Sequence, residues 1–345
     1  MRNLFQQLGR ALEQGSGAVL VTVVASSGST PRGSGARMLV TDRGRIAGTI
    51  GGGAVEFRSE QIAKELLLSG SSRSEHFLLH KNQIQDLGMI CGGDVQVYFR
   101  HLPACDPGAI ALTRKIEELY RAGEQSWFIT EVTQGQPGDL AVFGSRSGLF
   151  GSPISQSVLD SLGSRPLLVS ADGRDYYCEK LIQPGRVFIF GGGHVAQSLV
   201  PALAAVDFRC VVLEDREDFC RPELFSGVEE TRLIDINDPA AYQDITENDF
   251  VCVMTRGHKD DLLVQAHALK TPACYIGVIG SRRKTEAVFA QLRTMGFTDS
   301  DLQRITTPIG LSILAETPAE IAVSVTAQLI MHRATLLRRG DKAQS

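Results

Sequence analysis

The stretch Arg186-Val-Phe-Ile-Phe-Gly-Gly-Gly-His-Val-Ala196 decides the fold of the carboxyl-terminal half of this chain. Val187 to Phe190 is β-branched and aromatic without a polar break, the composition of a parallel strand buried on both faces. Three glycines follow at once, so the chain turns sharply at the strand's end. Gly191, Gly193 and Ala196 fit the spacing G-x-G-x-x-A. In that pattern small residues permit a tight turn, close backbone approach to a pyrophosphate, and close packing of helix on strand. The N–H groups of the following helix would then face the phosphates.

The surrounding sequence supports the motif. A second apolar run, Phe208 to Leu213, ends in Glu214-Asp215, roughly the twenty-residue offset at which an acidic side chain meets a ribose hydroxyl. Glu214 lies nearest the strand end and is the expected ribose ligand. Pro201 falls inside the intervening helix, where it removes a hydrogen bond and predicts a bend. Arg232 to Ile236, Phe250 to Met254 and Cys274 to Ile279 continue the strand series with helices between them, the alternation of a doubly wound parallel sheet. Ligands of such sheets bind beyond the carboxyl ends of the strands.

Two further loops lie at those ends, Thr255-Arg-Gly-His-Lys-Asp-Asp261 and Gly280-Ser-Arg-Arg-Lys284. His258 with Asp260 reads either as acid–base or metal-ligand equipment or as a solvated loop, since one histidine supplies too few ligands for a metal. Ser281, Arg282, Arg283 and Lys284 place a hydroxyl and three cations at a helix start. That is unfavourable to the helix dipole unless an anion is present, which points to contact with a phosphate or pterin phosphate.

The amino-terminal half repeats the device. Leu4, Phe5, Leu8 and Leu12 have helical spacing, and Gly15 ends that helix. Strands are expected over 18–25, 36–41 and 45–50, after which Gly51, Gly52 and Gly53 open a second helix reaching Ser69 and offer a second anion seat. Glu56, in its first turn, suits either the helix dipole or a ligand role. The loop Ser26-Ser-Gly-Ser-Thr-Pro-Arg-Gly-Ser-Gly35 carries Arg32 and leads to Arg37, a mixture that suits an anion-binding surface. Cys91 sits in Gly88-Met-Ile-Cys-Gly-Gly93 among glycines, which predicts an accessible thiol. Three segments result: an amino-terminal α/β domain over 1–104, a connecting segment over 105–184 that extends it, and a Rossmann-like domain over 185–345. The last helix opens on the capping box Thr317-Pro-Ala-Glu320, and its length suits either docking in the core or sealing a homodimer.

Composition narrows the function classes. Lys and Arg total 35 against 39 acidic residues, a formal net charge of −4, so no general attraction to nucleic acid or membrane is expected. Neither a membrane-spanning run nor the apolar core of a signal peptide is evident, and a cytoplasmic protein is expected. Seven cysteines without a C-x-x-C pair argue against a disulfide framework and a structural zinc site, and most read as buried small hydrophobes.

Val21-Thr-Val-Val with Gly28-Ser-Thr-Pro-Arg-Gly33, Gly48-Thr-Ile-Gly-Gly-Gly53 with Glu56, and Met89-Ile-Cys-Gly-Gly93 closely resemble the amino-terminal domain of the XdhC/CoxI family. The carboxyl-terminal half resembles that family's Rossmann domain. It does so through Phe190-Gly-Gly-Gly-His-Val-Ala196 with His194, Asp215-Arg216, Thr255-Arg-Gly-His258, Gly280-Ser-Arg-Arg-Lys284, and Pro308-Ile-Gly with Glu316-Thr-Pro-Ala-Glu-Ile321. The resemblance spans nearly the whole chain except the middle segment. It implies an accessory protein that binds the molybdenum cofactor (molybdopterin), protects it during sulfuration, and delivers it to the apoenzyme of a molybdenum hydroxylase such as xanthine dehydrogenase. The implied partners are that apoenzyme and a sulfurtransferase or other cofactor-modifying enzyme. Similar proteins commonly carry a cysteine directly after the glycine triplet, where this chain has Ala54; Cys91 is then the remaining thiol of the family pattern. Two other readings stay open: an NAD-dependent oxidoreductase using the Rossmann domain, and a maturation factor for a selenium-dependent hydroxylase.

Overall fold

The computed structural model describes residues 1–28, 33–78, 93–133, 138–182, 185–280 and 282–343, with the side chains of 28, 78, 182, 258, 259, 282–284 and 337–343 outside the description. The chain forms two compact units, Met1–Gln183 and Pro184–Ser345.

In the first unit, α1 (Arg2–Glu13) buries Leu4, Phe5, Leu8 and Leu12, the four apolar positions with helical spacing. A five-stranded antiparallel sheet follows, built from β1 (Ala18–Gly28), β2 (Arg37–Thr41), β3 (Gly44–Thr49), β4 (Arg73–Leu78) and β5 (Gly93–Leu102) in the order β3-β2-β1-β5-β4. The helix α2 (Gly53–Ser69) covers one face through Val55, Ile62 and Leu66, which pack with Val21, Val97 and Phe99. The other face meets α1, α3 (Pro107–Ala122) and a second antiparallel sheet. That sheet comprises β6 (Ser126–Glu131), β7 (Leu140–Gly144), β8 (Gly148–Gly151), β9 (Leu167–Ala171) and β10 (Arg174–Ile182), ordered β8-β7-β6-β10-β9, with the short α4 (Gln156–Asp160) beside it.

A buried ion pair joins the two sheets. Arg37 of β2 pairs with Glu179 of β10, and the side chains of both are almost wholly buried. The guanidinium lies 4.9 Å from the Phe128 ring centre, and the Tyr177 hydroxyl donates to Glu179 at 2.8 Å. Burial pulls the Arg37 pKa down to about 10. Arg37 is thus committed inside the unit, which corrects its assignment to an anion-binding surface: the carboxylate that neutralises it lies 142 residues later in sequence and could not be anticipated locally.

The second unit is a parallel six-stranded sheet of β11 (Val187–Phe190), β12 (Cys210–Glu214), β13 (Glu230–Leu233), β14 (Phe250–Val253), β15 (Tyr275–Val278) and β16 (Ile305–Thr306), ordered β13-β12-β11-β14-β15-β16. Alternation along the strands divides the core. Phe188, Phe190, Val211 and Leu213 face a cluster with α6 (His258–Leu269), α7 (Arg282–Thr294) and α8 (Asp299–Leu302). Val187, Ile189, Cys210 and Val212 face α5 (His194–Ala205) and α9 (Pro318–Ala343). Full burial on both sides explains why these strands read as unbroken apolar runs. The expected α/β architecture with a Rossmann-like carboxyl-terminal sheet is therefore observed. The helix α5 continues through Pro201. The capping box of α9 is formed, with Glu320 accepting from the Thr317 backbone at 2.9 Å and Thr317 Oγ1 accepting from the Glu320 backbone at 3.3 Å.

Candidate functional site

The strand order reverses direction at β11: β12 and β13 build to one side, and the chain then crosses to β14 on the other. A crevice opens outside the carboxyl ends at such a switch point. The three glycines there have three different surroundings. Gly191 takes φ of 112°, and a Cβ on it would lie 2.4 Å from the Met254 carbonyl oxygen, so only glycine fits. A Cβ on Gly192 would lie 2.1 Å from the Phe219 carbonyl oxygen. Gly193 differs, because a Cβ there meets nothing within 4 Å. Its bare backbone fronts open space, which is what close approach of a pyrophosphate requires. Among the described residues no side chain caps α5 at Gly193 or accepts from its first-turn N–H groups, and exposed His194 begins the helix. Ala196 is buried against the sheet, the role expected of a small residue at that position.

A shallow cleft beside this turn is walled by Gly191, Glu214, Asp215, Thr255, Arg256 and Asp260 among others. Glu214 stands where the sequence places it, but its carboxylate is engaged from within. One oxygen accepts the Gly192 N–H at 2.7 Å and Arg216 Nη2 at 2.9 Å; the other accepts Arg216 Nε at 2.8 Å. Burial favours the neutral acid, yet the bonds from Arg216, Asp215 and Gly192 outweigh it and hold the pKa well below the usual carboxylate range. Glu214 braces the glycine turn from beneath. The acid with an accessible side chain is Asp215, 39% exposed. Its pKa moves up, through its hydrogen bond with Glu214, burial, and the charge of that neighbour.

Thr255 Oγ1 donates to Asp261 at 2.6 Å and so ties the loop after β14 to the first turn of α6. Between them, Arg256 is exposed, lines the cleft, and has no ion-pair partner among the described residues. Thr255, Arg256 and Arg216 lie in stretches quoted from the sequence, Thr255–Asp261 and Asp215-Arg216, but none of the three was given a role of its own there. The signal available was a charged tripeptide immediately after a buried strand. His258 begins α6, and Arg282, Arg283 and Lys284 begin α7, but their side chains lie outside the described residues, as does Ser281 entirely. Among the described residues no group of three His, Cys, Asp or Glu could hold a metal ion.

The first unit contains a second turn of similar construction. Gly51, Gly52 and Gly53 all have positive φ, and a Cβ on Gly52 would meet nothing within 4 Å. Glu56, 7% exposed, folds back to accept N–H groups from Ile50 at 2.9 Å and Gly52 at 3.1 Å. Thr49 and Arg45 also bond its carboxylate. Burial pushes its pKa up, but the bonds from Thr49, Gly52 and Ile50 and the charge of Arg45 carry it below the usual range. In both units, then, a glycine run opening a helix is held by a buried, arginine-paired carboxylate. Arg32 and Cys91 lie outside the described residues.

Residues 187–329 match the model of the XdhC Rossmann domain, and residues 11–79 that of the XdhC and CoxI family. The chain belongs to the XdhC and CoxI family. Several curated relatives match along most of this XdhC chain. The uncharacterized protein YqeB of Escherichia coli (strain K12) is 26% identical over 331 residues, 95% of this chain, which spans only 46% of that protein's length. A relative in Bacillus subtilis (strain 168), named as a probable xanthine dehydrogenase subunit, is 23% identical, with coverage of 96% of this chain and 98% of the relative. The molybdenum cofactor insertion chaperone PaoD of Escherichia coli (strain K12) is also 23% identical, covering 95% and 87%. Among solved structures, one described as a xanthine dehydrogenase from Bacillus halodurans superposes with a TM-score of 0.77 over 96% of each chain at 23% identity, a likeness of fold.

Proposed function

We propose that this XdhC-family chain is an accessory protein that binds the molybdenum cofactor and assists its sulfuration and insertion into a molybdenum hydroxylase such as xanthine dehydrogenase. The observation that carries the reading is the match of both halves to XdhC models, together with full-length similarity to a protein named for insertion of that cofactor. The chemistry of the site fits. A pterin bearing a phosphate needs backbone N–H groups that nothing else caps and a backbone bare enough to approach, and Gly193 at the head of α5 supplies both. The turn at Gly52 offers a comparable surface in the other unit.

In this reading Gly191, Gly193, His194 and Ala196 form the phosphate seat, Asp215 faces sugar or pterin hydroxyls, and Arg256 with Arg282, Arg283 and Lys284 supplies positive charge. Gly51, Gly52 and Gly53, with Arg32 and Cys91, belong to the second surface. Glu214 and Glu56 act through the glycines they hold. When bound, the cofactor would bring its own molybdenum and dithiolene sulfur, so no protein cage for the metal is required. The switch-point cleft also accepts the nucleotide portion of a ligand, NAD or another, in the manner of its fold. The apoenzyme and a sulfurtransferase are the partners, and the cytoplasm is the compartment.

The test is to purify the chain from cells making molybdenum cofactor, assay pterin, molybdenum and nucleotide together, and add the protein to cofactor-free xanthine dehydrogenase. Co-purified pterin with molybdenum and a gain of hydroxylase activity are expected. Pterin at the level of an unrelated control, with no gain of activity, would overturn the proposal. Stoichiometric NAD(H) turned over with a substrate would replace it with an oxidoreductase.

A further inference from the structure

The cleft at the switch point holds two opposite charges that leave each other alone. Arg256, in the loop after β14, and Asp260, in the first turn of α6, both line it. Among the described residues the side chain of neither has a hydrogen-bond or ion-pair partner. The neighbouring charges are engaged. Glu214 and Asp215 have Arg216 Nε beside them at 2.8 and 3.7 Å, and Asp261, next to Asp260, accepts from Thr255. A first-turn acid complements the helix dipole wherever it points. Sharing a cleft with an unpaired arginine is a different matter, and it suits a ligand that offers donors to one group and an acceptor to the other.

The rest of the cleft says what kind of ligand. Phe190 and Leu213, at the ends of β11 and β12, and Ile236, beyond β13, give it an apolar lining. Apolar walls with a few polar groups suit a flat ring that presents one polar edge.

We infer that Arg256 and Asp260 read the edge of a 2-amino-4-oxopyrimidine ring, Asp260 accepting from its ring N–H and amino group and Arg256 donating to its oxo group. A carboxylate has two acceptor oxygens, which match the adjacent N–H and amino donors in a bidentate pair, and a guanidinium supplies only donors, which match the oxo group. Other rings match less fully. A cytosine or adenine edge gives the carboxylate one donor group, and a uracil or hypoxanthine edge has the N–H without the amino group. The 2-amino-4-oxo edge occurs in two kinds of ligand, a pterin and a guanine base. The inference rests on the reading that this cleft receives the cofactor, and it names the side chains that recognise the ring while the turn at Gly193 takes the phosphate. The guanidinium of Arg256 has five N–H donors, so a bond to the oxo group leaves others for a nearby phosphate.

Calorimetry on the full chain tests this with two pairs of compounds that differ at the 2-amino position: guanosine diphosphate against inosine diphosphate, and pterin against lumazine. In at least one pair the amino-bearing member should bind about tenfold more tightly or better, because a site built to hydrogen-bond a group rejects the analogue lacking it. Asp260→Asn should bring that ratio close to one. Arg256→Gln should weaken both members and keep the ratio, since the oxo group is common to both; in the pterin pair no phosphate is present to account for the loss. Neither side chain has a partner to lose, so both variants should melt with the parent. Discrimination in the pterin pair alone assigns the ring to a pterin, and in the diphosphate pair alone to a guanine nucleotide; either supports the inference. Absence of binding by all four compounds, equal binding within both pairs, or a ratio that survives Asp260→Asn would overturn it. A chain that gives such a result and still co-purifies with molybdenum cofactor loses this inference and keeps its proposed function, whereas one that never co-purifies with pterin loses the proposed function itself.

Discussion

Glu214 Oε2 accepts the backbone N–H of Gly192 at 2.7 Å, and this bond decides what the acid at the end of β12 does. A carboxylate holding the turn that shapes the proposed phosphate seat cannot also offer those lone pairs to a sugar. Glu214→Ala removes charge-assisted bonds from a buried site and should cost the second unit about 1–3 kcal/mol of stability for each such bond. Asp215→Ala should leave the melting temperature within a degree or two while weakening nucleotide binding in calorimetry. Equal stability loss in the two variants, or binding loss confined to Glu214→Ala, would restore Glu214 as the ligand-facing acid.

The glycines of the same turn can be told apart by a single methyl group. Gly193 has φ of −70°, and a Cβ there meets nothing, so Gly193→Ala should fold with nearly parental stability and yet obstruct a pyrophosphate, reducing affinity tenfold or more. Gly192→Ala drives its Cβ into the Phe219 carbonyl and should destabilise the unit outright. Melting curves beside binding isotherms check both. A Gly193→Ala variant that binds as well as the parent would show that nothing approaches this backbone closely.

Most of the second unit was legible because its strands are buried on both faces. A strand such as Val187–Phe190 has no reason to carry a polar residue, and the glycines announce its end. The middle of the chain was harder. The strand β10, Arg174–Ile182, mixes Tyr177 and Cys178 with Glu179 and Lys180, because one charge is neutralised across the sheets and another lies near an aromatic ring. Neither partner is local. The same limit applied to Glu214, whose position could be read from sequence but whose use depended on an N–H that only the folded turn presents.

The buried pair Arg37–Glu179 gives a test of that middle segment. Removing one member strands a charge in a low-dielectric interior, so Glu179→Ala or Arg37→Met alone should cost about 3–5 kcal/mol, whereas Arg37→Met with Glu179→Leu should recover most of the loss. Denaturant titration of the three variants measures this. Additive losses in the double variant would mean that the two groups do not answer each other.

Glu56 predicts an acid sensitivity of the first unit. Its folded pKa is depressed, so its contribution is fully present above the unfolded carboxylate value, near 4.3, and is lost as pH falls through the lower folded value. Glu56→Gln removes that ionisation. The gap in melting temperature between parent and variant should therefore be widest from about pH 5 to 7 and close toward pH 3. A gap independent of pH would place the effect in packing instead.

The last prediction concerns thiol chemistry. Burial pushes Cys178, Cys252 and Cys274 each up to about 12, and Cys210 higher still, so none of them forms a useful thiolate near neutral pH. Cys220 is displaced in the same direction. Under the proposed function, a sulfur-handling role would fall to Cys91, followed by Gly92 and Gly93 in the sequence, or to exposed Cys105. Cys105 lies in the turn before α3, away from both glycine seats in sequence and outside the family pattern. Cys91→Ser retains size while removing the soft, readily ionised sulfur. It should fold normally, lose most retained molybdenum cofactor, and activate a client hydroxylase several-fold more slowly, with Cys105→Ser indistinguishable from the parent. Parental retention and activation by Cys91→Ser would remove the thiol from the mechanism and leave that loop to act through its backbone.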